Sequence, residues 1–530
     1  MKKLVILLAL VLALTSCQAL AFNETGLPIV DETVTFTMLI DDSYTAEDHA
    51  LMYDYLEEQT NVHVELMLFP YQTALERMNI MLSTGNYPDV IAGWLLGTKN
   101  ILNEGMTDGI FLPLDELIDA YCPNITEVLD IPGVRASMTL PDGHIYSIPY
   151  VVGEPEATFK PYINQIWLEN VGMDMPTTPE ELKEVLIAFR DNDANGNGEL
   201  DDEIPFSGDP NNLNLGMLAG WWGVDAFGGG DYPYFSMVDG KLLFGANTDE
   251  YRTFLEYFAD LYAEGLVDPE IFTQDLETWK AKGKDDLYGV SIAYGPGDFI
   301  SDYDKETEPE LREKYGWNRF TVLPVLAGCE NPIFHRNSYG VTLFRTQMAI
   351  TNKCDEEKAG IILRWFDNLY TEENSRQSQS GLLGSKLEKI GDGVYRELDM
   401  SDWTEEQKTA QDWGHIFTQS MPRYYHDSVV LGFGAEEVEL SMNDYCDEVY
   451  APYLNDTFVK VWASDEADVA RSSILTTDIN TYVKTAMAQF ISGEKELNDT
   501  TWAEYCAQLE TYGLQELIEI NCRTLGVEAY

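Results

Sequence analysis

The chain has 530 residues, 45% of them hydrophobic and 12% aromatic, and its 33 Lys and Arg against 91 Asp and Glu give a formal net charge of -58. A chain of this length outgrows a single hydrophobic core, so two lobes or more are expected, and the apolar content excludes a disordered chain. The charge excludes nucleic acid and anionic lipid head groups as partners and favours a neutral ligand over a polyanion.

Lys2 and Lys3 precede an apolar run from Leu4 to Leu14, too short for a permanent spanning helix, and Leu14-Thr15-Ser16-Cys17 follows. That order reads as a lipoprotein signal peptide over residues 1–16, with Cys17 as the lipidation site that ties the mature protein to a membrane. An ordinary secretory signal cut after Ala19-Leu20-Ala21 is the other processing this segment allows. Residues 17–32 then read as a short tether, and no later stretch is long and apolar enough to cross a bilayer. Six cysteines remain, none in a CxxC pair and irregularly spaced, which predicts free, mostly buried thiols.

Along the chain, Val34 to Ile40 predicts a strand, Thr45 to Thr60 a helix and Val62 to Phe69 a second strand, a β-α-β start that implies a parallel sheet. Leu75, Met78 and Leu82 line one face of a further helix ending at Gly85-Asn86, and Pro88 to Ile91 opens another buried strand. Thr178-Pro179-Glu180-Glu181 predicts a helix start, with Thr178 as N-cap, Pro179 in the first turn and Glu181 closing a capping box. Phe254, Leu255, Phe258 and Leu261 predict a helix from about Asn247 to Glu264, stopped by Gly265. Glu356 to Tyr370 and Thr501 to Tyr512 are also helical by periodicity, which suits helices covering two lobes better than a third domain.

Several blocks resemble extracellular solute-binding protein family 1, in particular its large oligosaccharide-binding lipoproteins of Gram-positive bacteria. They are Asn86-Tyr87-Pro88-Asp89-Val90-Ile91, Leu112-Pro113-Leu114-Asp115, Pro141-Asp142-Gly143-His144-Ile145-Tyr146-Ser147-Ile148-Pro149 and Trp167-Leu168-Glu169-Asn170-Val171-Gly172. Glu264 to Glu270, Ala349-Ile350-Thr351, Leu369 to Glu373, Phe490 to Gly493 and Trp502 to Tyr505 continue the match in the same order. The resemblance implies an α/β, periplasmic-binding-protein-like fold: two α/β lobes, a multi-segment hinge and a ligand cleft between them. Lobe 1 is expected to comprise residues 33–154 and 325–385, and lobe 2, the more helical, residues 155–324 and 386–530. It further implies a monomer on the extracellular face of the cell membrane that captures a carbohydrate and delivers it to the permease subunits of an ABC importer. Members often carry a basic and an acidic residue just before the Trp-Leu pair, where this chain has Asn164-Gln165-Ile166, so no ligand contact is carried over there.

The segment 191–203, Asp-Asn-Asp-Ala-Asn-Gly-Asn-Gly-Glu-Leu-Asp-Asp-Glu, sets hard oxygen donors at alternate positions among turn-forming glycines, which is what Ca²⁺ requires. One EF-hand register starts at Asp191; the other starts at Asp193 and uses Asn195, Asn197, the Glu199 carbonyl and Asp201 or Asp202, with Asp202 and Glu203 competing to close the shell. The second resembles the calcium loop of alginate-binding relatives and is preferred. The expected role of the ion is structural.

A sugar presents apolar ring faces and hydroxyls, so its site calls for aromatics flanked by polar groups. Asp41 and Asp42 follow the first strand and Trp94 follows the strand at Val90-Ile91, at the carboxyl ends where open α/β sheets bind ligands. Trp221, Trp222 and Tyr232 form an aromatic segment in the second lobe, and Trp413, Arg423 and Tyr424 a further polar-aromatic cluster. No His-Glu-x-x-His, Gly-x-Ser-x-Gly or Walker A pattern occurs and the six histidines are scattered, so no enzyme is expected. A secreted hydrolase with two carboxylates brought together by folding, or a calcium-stabilised surface adhesin, are the competing classes.

Overall fold

The computed structural model describes residues 22–42, 46–93, 95–152, 157, 159–210, 215–229, 232–303, 307–336, 342–400, 402–404, 421–424, 426, 428–432, 442–456, 461–462 and 465–530. The strands, in chain order, are β1 (Val34–Asp42), β2 (Val62–Pro70), β3 (Val90–Ala92), β4 (Ile148–Val152), β5 (Lys160–Asn164), β6 (Ile204–Gly208), β7 (Phe235–Val238) and β8 (Lys241–Phe244). They continue as β9 (Tyr288–Ala293), β10 (Phe320–Val322), β11 (Thr342–Ile350), β12 (Leu387–Gly391), β13 (Val394–Glu397), β14 (Val429–Leu431) and β15 (Glu528–Ala529).

The chain forms two compact units, one from residues 1–152 and 343–438, the other from 153–342 and 439–530. Residues 325–342 therefore fall in the second unit and 386–438 in the first, not the reverse as expected. The reason for the second reassignment is visible in the helix Glu372–Ser380, polar in sequence yet buried from Asn374 to Ser378. Its Arg376 donates through Nε to Ser428 Oγ at 3.0 Å and through Nη2 to the Ser428 carbonyl. Its Ser375 hydroxyl donates to the Tyr424 carbonyl. A polar helix thus ties the later segment to the first unit, and periodicity cannot report that kind of bond.

The first unit is built on a sheet of order β2-β1-β3-β11-β4, with β1 parallel to β2 and β3, and β11 antiparallel to β3. The expected β-α-β start is present: the helix Ala46–Thr60 joins β1 to β2. Phe36, Met38 and Ile40 alternate into one apolar cluster with Met52, Leu56, Trp365 and Phe366, while Leu39, Ile91 and Ala349 between them are equally buried, so both faces are covered. Phe22, Ile29 and Val30 belong to the same cluster, and Arg364 donates to the Gly26 carbonyl at 2.6 Å. Residues 22–32 are therefore packed against the unit rather than forming the tether expected over 17–32; residues 17–21 lie outside the described residues. A second sheet, β12-β13-β14, was not anticipated from the sequence.

The second unit has a sheet of order β10-β5-β9-β6 and a small sheet β15-β8-β7, around its own apolar cluster. The helices Pro179–Asp191 and Asp249–Ala263 are N-capped by Thr178 and Thr248, whose hydroxyls accept from Glu181 N and Tyr251 N. The capping box differs from expectation: Glu181 Oε2 accepts from Thr177 N at 2.8 Å, one residue before the cap. Asn164 caps the helix Gln165–Val171, accepting from Ile166 N and Trp167 N. All six described cysteines are free; Cys122, Cys354 and Cys446 are buried, whereas Cys329, Cys506 and Cys522 are half-buried.

Several of the sequence blocks that carry the resemblance meet as fold staples. Asp89 Oδ2 accepts from Thr37 N at 2.7 Å and pairs with Lys358 Nζ at 2.8 Å, while Thr351 Oγ1 donates to the Pro88 carbonyl at 2.6 Å. Asp115 pairs with His144 at 3.0 Å, and Leu114 N donates to the Ile145 carbonyl at 2.7 Å. Asp268, almost wholly buried, pairs with Lys282 at 3.0 Å and accepts from the Ser207 hydroxyl at 3.0 Å.

Candidate functional site

The loop after the helix Pro179–Asp191 turns through Gly196 and Gly198, both at positive φ, +76° and +95°, where a side chain is disfavoured. Asp193 Oδ2 accepts from Gly198 N at 3.0 Å, Asn195 Oδ1 from Asn197 N at 3.0 Å and Asn197 Oδ1 from Glu199 N at 2.7 Å. Across the loop Asn197 Nδ2 donates to Asp202 Oδ2 at 2.7 Å, and Glu203 Oε1 accepts from Ala194 N at 2.8 Å. Asp191 instead pairs outward with Arg190 at 2.7 Å.

Three further carboxylate oxygens in this loop, Asp193 Oδ1, Asp202 Oδ1 and Glu203 Oε2, are buried with no hydrogen-bond partner. Burial pushes the Glu203 carboxyl above its ordinary range, and the neighbouring Asp202 charge adds to that. Buried carboxylate oxygens aimed at nothing carry a desolvation cost that a cation would remove. Among the described residues no three His, Cys, Asp or Glu side chains already stand at metal-ligand spacing, and the Asn197 amide occupies one Asp202 oxygen. The loop supplies a hard-oxygen donor set of the kind that fits Ca²⁺. Glu199 and Asp201 are exposed at its rim.

The sheets position the remaining candidates. Asp41 and Asp42 are the last residues of β1, level with Phe69 and Pro70 of β2, at the carboxyl edge of the first unit's sheet. Trp94 and Trp413 lie outside the described residues. Arg423, 5% exposed, donates through Nη2 to the Tyr150 hydroxyl at 2.7 Å with its guanidinium 5.0 Å from the centre of that ring. Tyr424 bridges to Val151 and its ring meets His426 edge-on at 4.6 Å. Tyr150 and Arg376, which sequence reasoning missed, complete this cluster; no spacing rule links residues 150, 376 and 423.

In the second unit Trp221 does not serve as the stacking surface expected of it. It is fully buried, its ring stacked with Phe258 at 6.3 Å, because the turn of helix at Leu215–Trp222 drives it into the apolar core. Trp222 is half-buried against Tyr257 at 5.3 Å, and the Tyr232 hydroxyl donates to the Val461 carbonyl at 2.9 Å. The carboxyl edge of this unit's sheet carries groups not singled out from sequence. Asp209, directly after β6, donates its N–H to the Ile292 carbonyl at 2.9 Å, and buried Lys160 donates to the Ala157 carbonyl at 2.6 Å. Burial raises the Asp298 carboxyl above its usual range and the Asp209 charge reinforces this.

Two α/β units of discontinuous chain, each with polar and charged residues at the carboxyl edge of its sheet, define a binding-protein architecture. The sequence profile of bacterial extracellular solute-binding proteins matches residues 35–318, and the chain belongs to that family. Among curated relatives, it is 29% identical over 486 residues to the fructooligosaccharide ABC transporter substrate-binding protein FusA of Streptococcus pneumoniae, covering 88% of this chain and 85% of that one. The structure of FusA in complex with kestose superposes with a TM-score of 0.74 at 26% identity, over 92% of this chain and 98% of that one. An EF-hand mutant of FusA in complex with fructo-nystose gives 0.73 at the same identity and coverage. An HMO-binding, ABC-transporter-associated solute-binding protein of Bifidobacterium longum infantis shares the fold with a TM-score of 0.74 at 21% identity, over 94% of this chain and all of that one. No described helix is long and apolar enough to cross a membrane.

Proposed function

We propose that this chain is the extracellular substrate-binding component of an ABC importer that captures a neutral oligosaccharide, with fructo-oligosaccharides the first candidates, and delivers it to the permease without breaking its bonds. The observation that carries the reading is the end-to-end similarity to FusA, 88% of this chain at 29% identity. The net charge of -58 supports a neutral over an acidic sugar. Thermal-shift screening of the full chain against kestose, other neutral oligosaccharides and an acidic oligosaccharide tests it, since a ligand of the folded state raises the melting temperature. A rise with neutral sugars is expected; no rise with any sugar, or release of smaller sugars during the incubation, overturns it.

We further propose that Asp193, Asn195, Asn197, the Glu199 carbonyl, Asp201 or Asp202, and Glu203 hold Ca²⁺. When bound, the ion supplies positive charge and oxygen coordination that stabilise the loop. The buried, unpaired oxygens of Asp193, Asp202 and Glu203 support this, as does the fit of the Asp193–Gly198 hydrogen bond to an EF-hand register that begins at Asp193. Titrating Ca²⁺ into chelator-stripped protein should release or absorb heat and raise the melting temperature; the absence of both changes would remove the claim. Lipidation at Cys17, anchoring on the outer membrane face and a monomeric state complete the proposal. Mass spectrometry of the N-terminal peptide from membranes and light scattering of the purified chain check them.

A further inference from the structure

Gln347 stands in β11 immediately before Met348, Ala349 and Ile350, all fully buried, and is itself only 2% exposed. Its Oε1 is buried and has no hydrogen-bond partner among the described residues. An unmade bond at a buried acceptor costs free energy that an apolar side chain of the same length would not incur, so packing alone gives no reason for an amide here.

The register says where this amide lies. Met348 is level with Ala92 of β3, so Gln347 is level with Gly93, whose N–H donates to the Gln347 carbonyl at 2.8 Å. Leu39 of β1 is level with Ile91, which carries Asp41 of β1 to the same row. Gln347 therefore occupies the row at which the parallel strands β1 and β3 reach their carboxyl ends, where open α/β sheets receive ligands. Met348 and Ile350 point into the apolar cluster shared with Trp365, so alternation turns Gln347 to the opposite face of the sheet.

We infer that the Gln347 side chain is a specificity-determining ligand contact of the first unit, its amide exchanging hydrogen bonds with hydroxyls of a neutral sugar. An amide offers both donors and acceptors and no charge, which suits hydroxyls and supplies no positive charge to offset an acidic sugar's carboxylate. The inference rests on the carbohydrate reading above.

The test is calorimetric titration of kestose, and of the best neutral sugar from the thermal-shift panel, into the parent chain, Gln347→Leu and Gln347→Met. Both variants should bind about tenfold more weakly, a difference of about 1.4 kcal/mol. Their melting temperatures without sugar should equal or exceed the parent's, because the unpaired buried oxygen is gone. Less than a threefold loss in the variants overturns the inference, as does a loss accompanied by a lower sugar-free melting temperature in both, which marks a packing role. A parent that binds no sugar overturns the carbohydrate reading itself, whereas a parent that binds with variants unchanged overturns only this one.

Discussion

Replacing Asp225 by Ala should destabilise the second unit severely. Asp225 is 3% exposed, and its carboxylate accepts from His335 Nδ1 at 2.8 Å, Asn455 Nδ2 at 2.7 Å and Phe227 N at 2.9 Å. These donors come from three chain segments, and Phe227 also stacks on the His335 ring at 4.0 Å. Truncation leaves three donors facing a void, and breaking a buried charge pair from one side costs about 3–5 kcal/mol. For a unit of this size that is a fall on the order of 10 °C in melting temperature. The pH dependence follows from the carboxyl's own equilibrium. Burial alone would raise it, but the His335 charge and the three donors outweigh burial and hold it below the ordinary value of 3.8. A carboxyl depressed on folding adds stability that is fully present above its unfolded pKa and is lost as pH falls through the folded one. The gap between parent and Asp225→Asn, measured by calorimetry, should therefore shrink as pH falls below about 4. A variant within about 0.5 kcal/mol of the parent at pH 7, or a gap that widens below about pH 4, would refute the reasoning.

Three other substitutions separate core, clasp and close-approach roles. Trp221→Ala should cost about 3–5 kcal/mol while leaving sugar affinity of the folded fraction unchanged; urea unfolding beside sugar titration checks both. Arg376→Ala should remove the clasp on Ser428 at about 1.5–3 kcal/mol and speed amide hydrogen exchange across Val429–Leu431, with little change elsewhere. Gly289→Ala drives a methyl group to 2.4 Å from Phe189 Cδ2 and 3.0 Å from the Pro205 carbonyl, so it should lose about 1–3 kcal/mol of stability in a denaturant titration.

Local chemistry was legible in the chain and remote chemistry was not. The alternation of Phe36, Met38 and Ile40, the caps at Thr178 and Thr248 and the glycine-punctuated acidic loop at 191–203 act over a few residues, where periodicity and turn preference are strong. The collinear blocks carried the family, and in the structure they act largely as staples between strands, Asp89 with Lys358 and Asp268 with Lys282 among them. Tertiary structure alone decided that Trp221 is core, that residues 22–32 pack and that the polar helix Glu372–Ser380 binds the segment after 421 to the first unit. It also decided that Gln347 is left with an unpaired amide oxygen in the row of Gly93. Whether a side chain is buried, paired or left wanting a partner depends on residues hundreds of positions away, and that is information a local pattern does not contain.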